Sequence, residues 1–338
     1  MVNAASTPRG QEFPLWKTFH PVIDARMDHN VLEPRTTIAP NLVSIIVPVK
    51  DNQKGINRLL YELEAICNAG DYPKEAIIVD NNSSTPIKLE RNYAFSVKLL
   101  HCTKPGPAAA RNAGAHVASG AWLLFTDSDC VPAATFLSGY STFENNCIAL
   151  MGGVDVVGAD PISKYYRQQN ILCPPFTDAR GYIEPWTLVT ANCLILKKAF
   201  ELVRGFDESY TLAGGEDTDI GLRLRRIGRL GYQPKSKSSH HFEDGFEGLI
   251  KRFIRYGLGN RLLSEQYRIS MKPDAIVPNE NSIINYFLAS VHHRAFEHGL
   301  NGSTWESFDI QPLIEELAMP EATKYIAHLV STLKTKAL

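Results

Sequence analysis

The 338-residue sequence contains no C-x-x-C pair, and its six cysteines (Cys67, Cys102, Cys130, Cys147, Cys173, Cys193) stand far apart. That spacing argues against a disulfide framework or a zinc ribbon and predicts reduced, mostly buried thiols. Charge of one sign is also missing, since 35 basic residues face 36 acidic ones for a formal net of −1. No polyelectrolyte field recommends nucleic acid as a partner. No apolar run approaches the ~18 residues of a spanning helix, and the proline-punctuated first forty residues lack the apolar segment of a signal peptide. These absences predict a cytoplasmic protein with no transmembrane segment. Glycine-rich phosphate loops are absent as well: Asp51-Asn52-Gln53 follows the first apolar strand, which disfavours dinucleotide dehydrogenases and sugar-nucleotide pyrophosphorylases.

What is present is enough apolar sequence, 44% of the chain, to bury a large core. The run 42–49 reads as a strand covered on both faces. Ile56, Leu59, Leu60, Leu63 and Ile66 then recur at helical spacing until Gly70, and 76–80 is a second buried strand. Residues 95–100 and 122–126 repeat the pattern around a helix that Pro107 opens and Gly120 ends. Strand–helix–strand order of this kind predicts an α/β fold, a doubly wound, mostly parallel sheet with ligands at the carboxyl ends of its strands. The expected organisation is an arm over 1–41, a catalytic domain over 42–270 and a small C-terminal helical appendage over 279–338. Ile284, Leu288, Val291 and Ala295 share one face of that appendage, and Ile326, Leu329 and Leu333 suggest a last amphipathic helix; both suit packing or a homodimer. In between, 151–234 gives mixed signals, with a strand expected to start at Gly152-Gly153.

Three constellations carry chemistry. Asp127-Ser128-Asp129 follows the fourth strand, and side chains two apart on an extended segment point the same way, so both carboxylates can face one hard divalent cation. Taken alone, Asp-x-Asp is as readily a capped turn. Gly214-Gly215-Glu216-Asp217-Thr218-Asp219 opens a helix with Ile220, Leu224 and Ile227 on its inner face. Three acids in a first turn are also what helix capping and the macrodipole select. The chemical alternative is a carboxylate that removes a proton from an acceptor hydroxyl. His240-His241 offers an imidazole as a third metal ligand beside Asp129. Residues 223–261 also hold ten basic residues against three acidic ones, and Lys251, Arg252 and Arg255 are candidates to meet a diphosphate or an anionic acceptor.

The order of these motifs over roughly residues 42–262 resembles family 2 glycosyltransferases with the GT-A fold. The carrying stretches are Val43-Ser-Ile-Ile-Val-Pro-Val49, Ile78-Val-Asp-Asn-Asn-Ser-Ser84, Gly106-Pro-Ala-Ala-Ala-Arg-Asn-Ala-Gly114, Phe125-Thr-Asp-Ser-Asp129, Gly205-Phe-Asp-Glu208 and Gly214-Gly-Glu-Asp217. The resemblance implies an inverting, hexosyl- or N-acetylhexosaminyl-type transfer from a nucleotide-sugar donor, UDP-sugar favoured, assisted by Mn²⁺ or Mg²⁺. The acceptor would be a glycan, a lipid-linked sugar, a peptide or a small molecule. It further implies that Pro48, Lys50, Asp80 and Asn81 contact the base and ribose, that Arg111 lies near the donor, and that Asp127 and Ser128 hold ribose and diphosphate. Asp127 and Asp129 with His240 or His241 would bind the metal, His240 being preferred because an extended segment puts it on the face of Ser238. Asp217 would be the base, with Glu216 orienting the acceptor and Trp186 a platform under a sugar ring. Lys50 stands where relatives often carry an aromatic ring, and Asn81 replaces a frequent aspartate. A non-catalytic carbohydrate-binding protein is the other class compatible with these motifs.

Overall fold

The computed structural model describes residues 38–141, 146–173, 177–178, 181–183, 187–273 and 282–316. Residues 1–37 of the expected arm, Trp186 and the helix expected around 326–333 lie outside them.

The first strands form as their side chains dictate. β1 (Val43–Val49), β2 (Glu75–Asp80), β3 (Val97–His101) and β4 (Trp122–Phe125) lie in the parallel order β3-β2-β1-β4. Successive side chains of a strand face opposite sides, and here each side has its own core. Ile45, Val47, Ala76, Ile78 and Leu124 face α1 (Gln53–Asn68), while Ile46, Ile77, Val79, Leu123 and Phe125 face α2 (Pro107–Val117). These side chains are fully buried, at about 1.5–3 kcal/mol for each large aliphatic one. This continuous burial on both faces is why the strands read as unbroken apolar runs.

β5 (Cys130–Pro132) follows within a few residues of β4, and the sheet then turns mixed. β6 (Cys147–Val157) leads through α3 (Pro161–Gln168) to β7 (Cys193–Leu196), which runs antiparallel to both β4 and β6. After α4 (Lys197–Leu202) and α5 (Glu216–Arg225), β8 (Arg229–His241) lies parallel to β6 and antiparallel to β5, closing the order β3-β2-β1-β4-β7-β6-β8-β5. The glycine pair expected to start a strand sits inside β6, where the register against β8 shifts between Gly152 and Gly153. Glycine inside a strand marks such irregularities because it brings no side chain to pack and tolerates unusual backbone.

α6 (Gly245–Tyr267) and α7 (Ile283–Leu300) complete the body, with the short α8 (Gln311–Glu316) behind them. Leu288, Val291 and Ala295, expected on one face of the appendage, are buried in a third core with Tyr165 and Tyr166 of α3 and Phe253 of α6. The apolar face assigned to packing or dimerisation is therefore covered within the chain. No helix among the described residues is long and apolar enough to cross a membrane. All six cysteines are free, and all but Cys173 are buried.

Candidate active site

β4 ends at Phe125, and the chain reaches β5 through a tight turn in which the Cys130 amide donates to the Asp127 carbonyl at 3.1 Å. Asp127-Ser128-Asp129 is thus a turn, not the extended segment expected. The turn still brings the two carboxylates together, because only four residues, Thr126 to Asp129, connect strands that lead to different parts of the sheet. Ser128 is held from the side, its Oγ accepting from Asn52 Nδ2 at 3.0 Å, while Asn52 Oδ1 caps α1 by accepting from the Gly55 amide at 2.9 Å.

Opposite this turn runs the end of β8. Its burial alternates, Ser238 and His240 inward and Ser239 and His241 partly exposed, as period-two geometry requires. His240 Nε2 lies 3.3 Å from Asp129 Oδ1. Ligand atoms of Asp127, Asp129, Cys130 and His240 all lie within 4.8 Å of one another. His241 lines a cleft of about 440 Å³ that also borders Asp129, with Asn52, Lys54, Arg58, Phe242 and Arg252. The residues fit a hard divalent cation: two carboxylates and an imidazole converge, and Asp129 Oδ1 and His240 Nδ1 are buried with no hydrogen-bond partner. Burial, opposed by His240 and reinforced by Asp127, pushes the Asp129 carboxyl up, a cost that a bound cation removes.

His240 is braced by packing in place of hydrogen bonds. Its ring stacks on Phe242 (centroids 4.1 Å apart, 21° between planes), and the Arg252 guanidinium covers Phe242 at 4.3 Å. Arg252 is itself fixed by the Tyr166 hydroxyl and by Asp244 (2.7 Å). The sequence alone offered Arg252 as a cation for phosphate, but its charge is engaged here. Lys251 is likewise paired, with Glu247. Arg255 has no ion pair among the described residues.

The second acidic stretch arrives through α5. Gly214 (φ +144°) and Gly215 (φ +92°) turn the chain in conformations side chains resist, and Gly215 caps the helix. The three acids after it divide their work. Glu216, 3% exposed, has Oε1 on Arg111 at 2.8 Å and Oε2 on the Gly214 amide at 2.6 Å, so both its oxygens help to fasten the loop. Asp219 is buried and tied to Arg223, the Tyr267 hydroxyl (2.6 Å) and Gln266 (3.3 Å). Asp217 keeps part of its surface, and among the described residues its carboxylate accepts only from the Thr218 amide at 2.8 Å. Burial and then the Glu216 charge push the Asp217 carboxyl up to about 7, against the pull of Arg111.

Arg111 joins the two stretches. From the buried face of α2 its guanidinium forks, Nη1 to Glu216 and Nη2 to Asp127 Oδ1 at 2.9 Å. One side chain with 4% exposure thereby fixes the spacing between the metal-type cluster and the helix that carries Asp217.

The remaining expected contacts lie at the carboxyl ends of β1 and β2. Pro48 is partly exposed on β1 and Lys50 is exposed. Asp80 has one oxygen on the Ser83 amide (3.0 Å) and the other on the Ile87 amide (3.1 Å), shaping the loop after β2. Asn81 donates to the Cys102 and Lys104 carbonyls and accepts from the Gly106 amide at 2.9 Å, which occupies its whole amide in joining β2 to the start of α2. Sequence reasoning missed Cys130, Phe242 and the bracing role of Arg252. The adjacency of Cys130 to Asp129 was the only signal for the first, and nothing local marked the other two.

A mixed sheet with an acidic turn at the end of β4 and a second acidic helix start across from it defines the class of GT-A type α/β folds. A mannosyltransferase from Pyrobaculum calidifontis, solved with GDP-Man and Mn²⁺, superimposes with a TM-score of 0.50 at 18% identity over 90% of this chain and 86% of that one. Residues 44–203 match the family Glycosyl transferase family 2. It is similar to the pre-mycofactocin glycosyltransferase of Mycobacterium tuberculosis, 28% identical over 68% of this chain and 50% of the relative. It is also similar to the glycosyltransferase AglE of Haloferax volcanii, 33% identical over 33% of this chain and 38% of the relative. The chain thus spans half or less of the length of these curated relatives.

Proposed function

We propose that the protein transfers a sugar from a nucleoside diphosphate sugar to an acceptor hydroxyl, with inversion at the anomeric carbon. The observation that carries this reading is the Arg111 fork, which sets the Asp127–Asp129–His240 cluster and the Asp217 helix on two sides of one guanidinium. Asp127, Asp129 and His240 would hold Mn²⁺ or Mg²⁺, which when bound would neutralise charge on the diphosphate. Asp217 takes the hydroxyl proton on its free carboxylate oxygen, and a value near neutrality suits a group that must accept a proton and return it to solvent. The acceptor oxygen then attacks from the face opposite the departing diphosphate, and no covalent intermediate is required. Glu216 holds the Asp217 helix through Arg111. UDP-sugars are the favoured donors. The relative solved with GDP-Man makes GDP-sugars the comparison to run.

The test is release of nucleoside diphosphate from a panel of UDP- and GDP-sugars, with Mn²⁺ or with chelator. Metal-dependent release by the wild type and not by Asp217→Asn supports the reading. Binding of a sugar nucleotide with no release, even with added acceptors, would mark a carbohydrate-binding protein instead.

A further inference from the structure

Cys130 directly follows Asp129 and opens β5, whose antiparallel register sets it opposite His240 on β8. Paired residues of an antiparallel ladder project from the same face, so the thiol and the imidazole lie on one side of the sheet. The sulfur accordingly falls in the cluster with Asp127, Asp129 and His240, all four ligand atoms within 4.8 Å of one another. The unsatisfied polar atoms point to a ligand there: His240, 7% exposed, turns its Nε2 toward Asp129 Oδ1 at 3.3 Å, and that oxygen is buried without a hydrogen bond.

This donor set is mixed in kind. Mn²⁺ and Mg²⁺ take carboxylate oxygens and, for Mn²⁺, imidazole, and have little use for sulfur; a thiolate suits borderline and soft ions. Two carboxylates, one imidazole and one thiolate make a four-ligand set of the type Zn²⁺ accepts in a closed tetrahedral site. We propose that the centre has a second metal state, in which Zn²⁺ or a softer divalent ion recruits Cys130 in addition to Asp127, Asp129 and His240. On binding, the Cys130 S–H bond breaks, the sulfur keeps the electron pair and donates it to the ion, and the proton passes to solvent with no change of oxidation state. A four-coordinate ion of this kind leaves no open position for diphosphate oxygens, so zinc excludes the nucleotide where Mn²⁺ admits it. The inference rests on the reading of this cluster as the metal centre. It adds a ligand and an inhibitory ion class to that reading.

The experiment uses the full chain with Cys173→Ser as background, because Cys173 is the exposed thiol. Co²⁺ stands in for Zn²⁺, since sulfur coordination gives it a near-ultraviolet charge-transfer band. The expected result is a band that saturates with one Co²⁺, is abolished by Zn²⁺, and is missing from the Cys130→Ser and His240→Ala variants. Zn²⁺ affinity should fall on the order of tenfold or more in Cys130→Ser, and Mn²⁺ affinity, read by electron paramagnetic resonance, by less than about threefold. Mn²⁺ binding without any Co²⁺–sulfur band overturns the inference and leaves the metal centre standing; absence of both Mn²⁺ binding and the band overturns the two together. A band that persists in Cys130→Ser also overturns it. If Cys130→Ser does not fold, the background protein's own spectrum decides, with Cys130→Ala as the second variant.

Discussion

Replacing Arg111 by methionine keeps most of its volume and removes its charge. In the folded protein this strands Glu216, whose side chain is 4% exposed, with only the Gly214 amide as partner, and leaves Asp127 beside Asp129 with no cation between α2 and the turn. Two unit charges about 4 Å apart attract by about 4 kcal/mol at an effective dielectric of about 20, and deleting one member of a buried pair costs about 3–5 kcal/mol because the other stays uncompensated. The expected loss for Arg111→Met in urea unfolding is therefore about 3–5 kcal/mol, with an unchanged slope. Glu216→Gln removes the stranded charge, so the double variant should be less destabilised than the sum of the singles by about 1–3 kcal/mol. Arg111→Lys, which cannot fork to both carboxylates, should fall between wild type and methionine. A loss below about 1 kcal/mol, or strict additivity in the cycle, would refute the claim that this guanidinium holds the two halves of the site.

The Asp217 carboxyl, raised from 3.8 to about 7 on folding, gives an inverted stability profile. The native state holds the extra proton in that window, so the charged carboxylate destabilises the protein increasingly as pH rises from about 4 to about 7 and by a constant amount above. Asp217→Asn should accordingly raise the melting temperature at pH 8 and leave it nearly unchanged near pH 3.5, while transfer is lost at every pH; equal melting temperatures at pH 8 would contradict the perturbed carboxyl. At Gly259 of α6 an added Cβ would lie 2.0 Å from the Gly214 carbonyl oxygen. Gly259→Ala should cost about 1–3 kcal/mol and displace the loop before Glu216, seen as a drop in kcat larger than any change in donor KM. Phe242→Leu removes the ring under His240, and Mn²⁺ affinity should fall while Phe242→Tyr restores it; unchanged affinity in the leucine variant would show that stacking does not place the imidazole.

The parallel half of the sheet was legible because its strands are buried on both faces. Val43 through Val47 and Ala76 through Asp80 have no solvent side to interrupt the apolar run. β8 hid behind Lys235, Lys237 and three serines, since a strand with one exposed face shows its pattern only once its partner is known. The DxD turn, the Glu216-Asp217 pair and His240 were visible as residue types in order. Their division of labour was not. Which of Glu216, Asp217 and Asp219 stays free depends on Arg111 and Tyr267, respectively 105 and 48 residues from their partners. Asp80 and Asn81 stood out as candidate ligand contacts, but the bonds they make to amides and carbonyls were not legible, because only the folded β2–α2 loop brings those groups near.

Calorimetry of nucleoside diphosphate binding in the presence of Mn²⁺, run with UDP and GDP on the wild type, Asp129→Ala and Asp217→Asn, tests the separation of grip and base most directly. The account predicts that Asp129→Ala loses metal-dependent binding, while Asp217→Asn binds the preferred nucleotide as the wild type does. Equal loss in the two variants, or binding that ignores Mn²⁺ altogether, would contradict it.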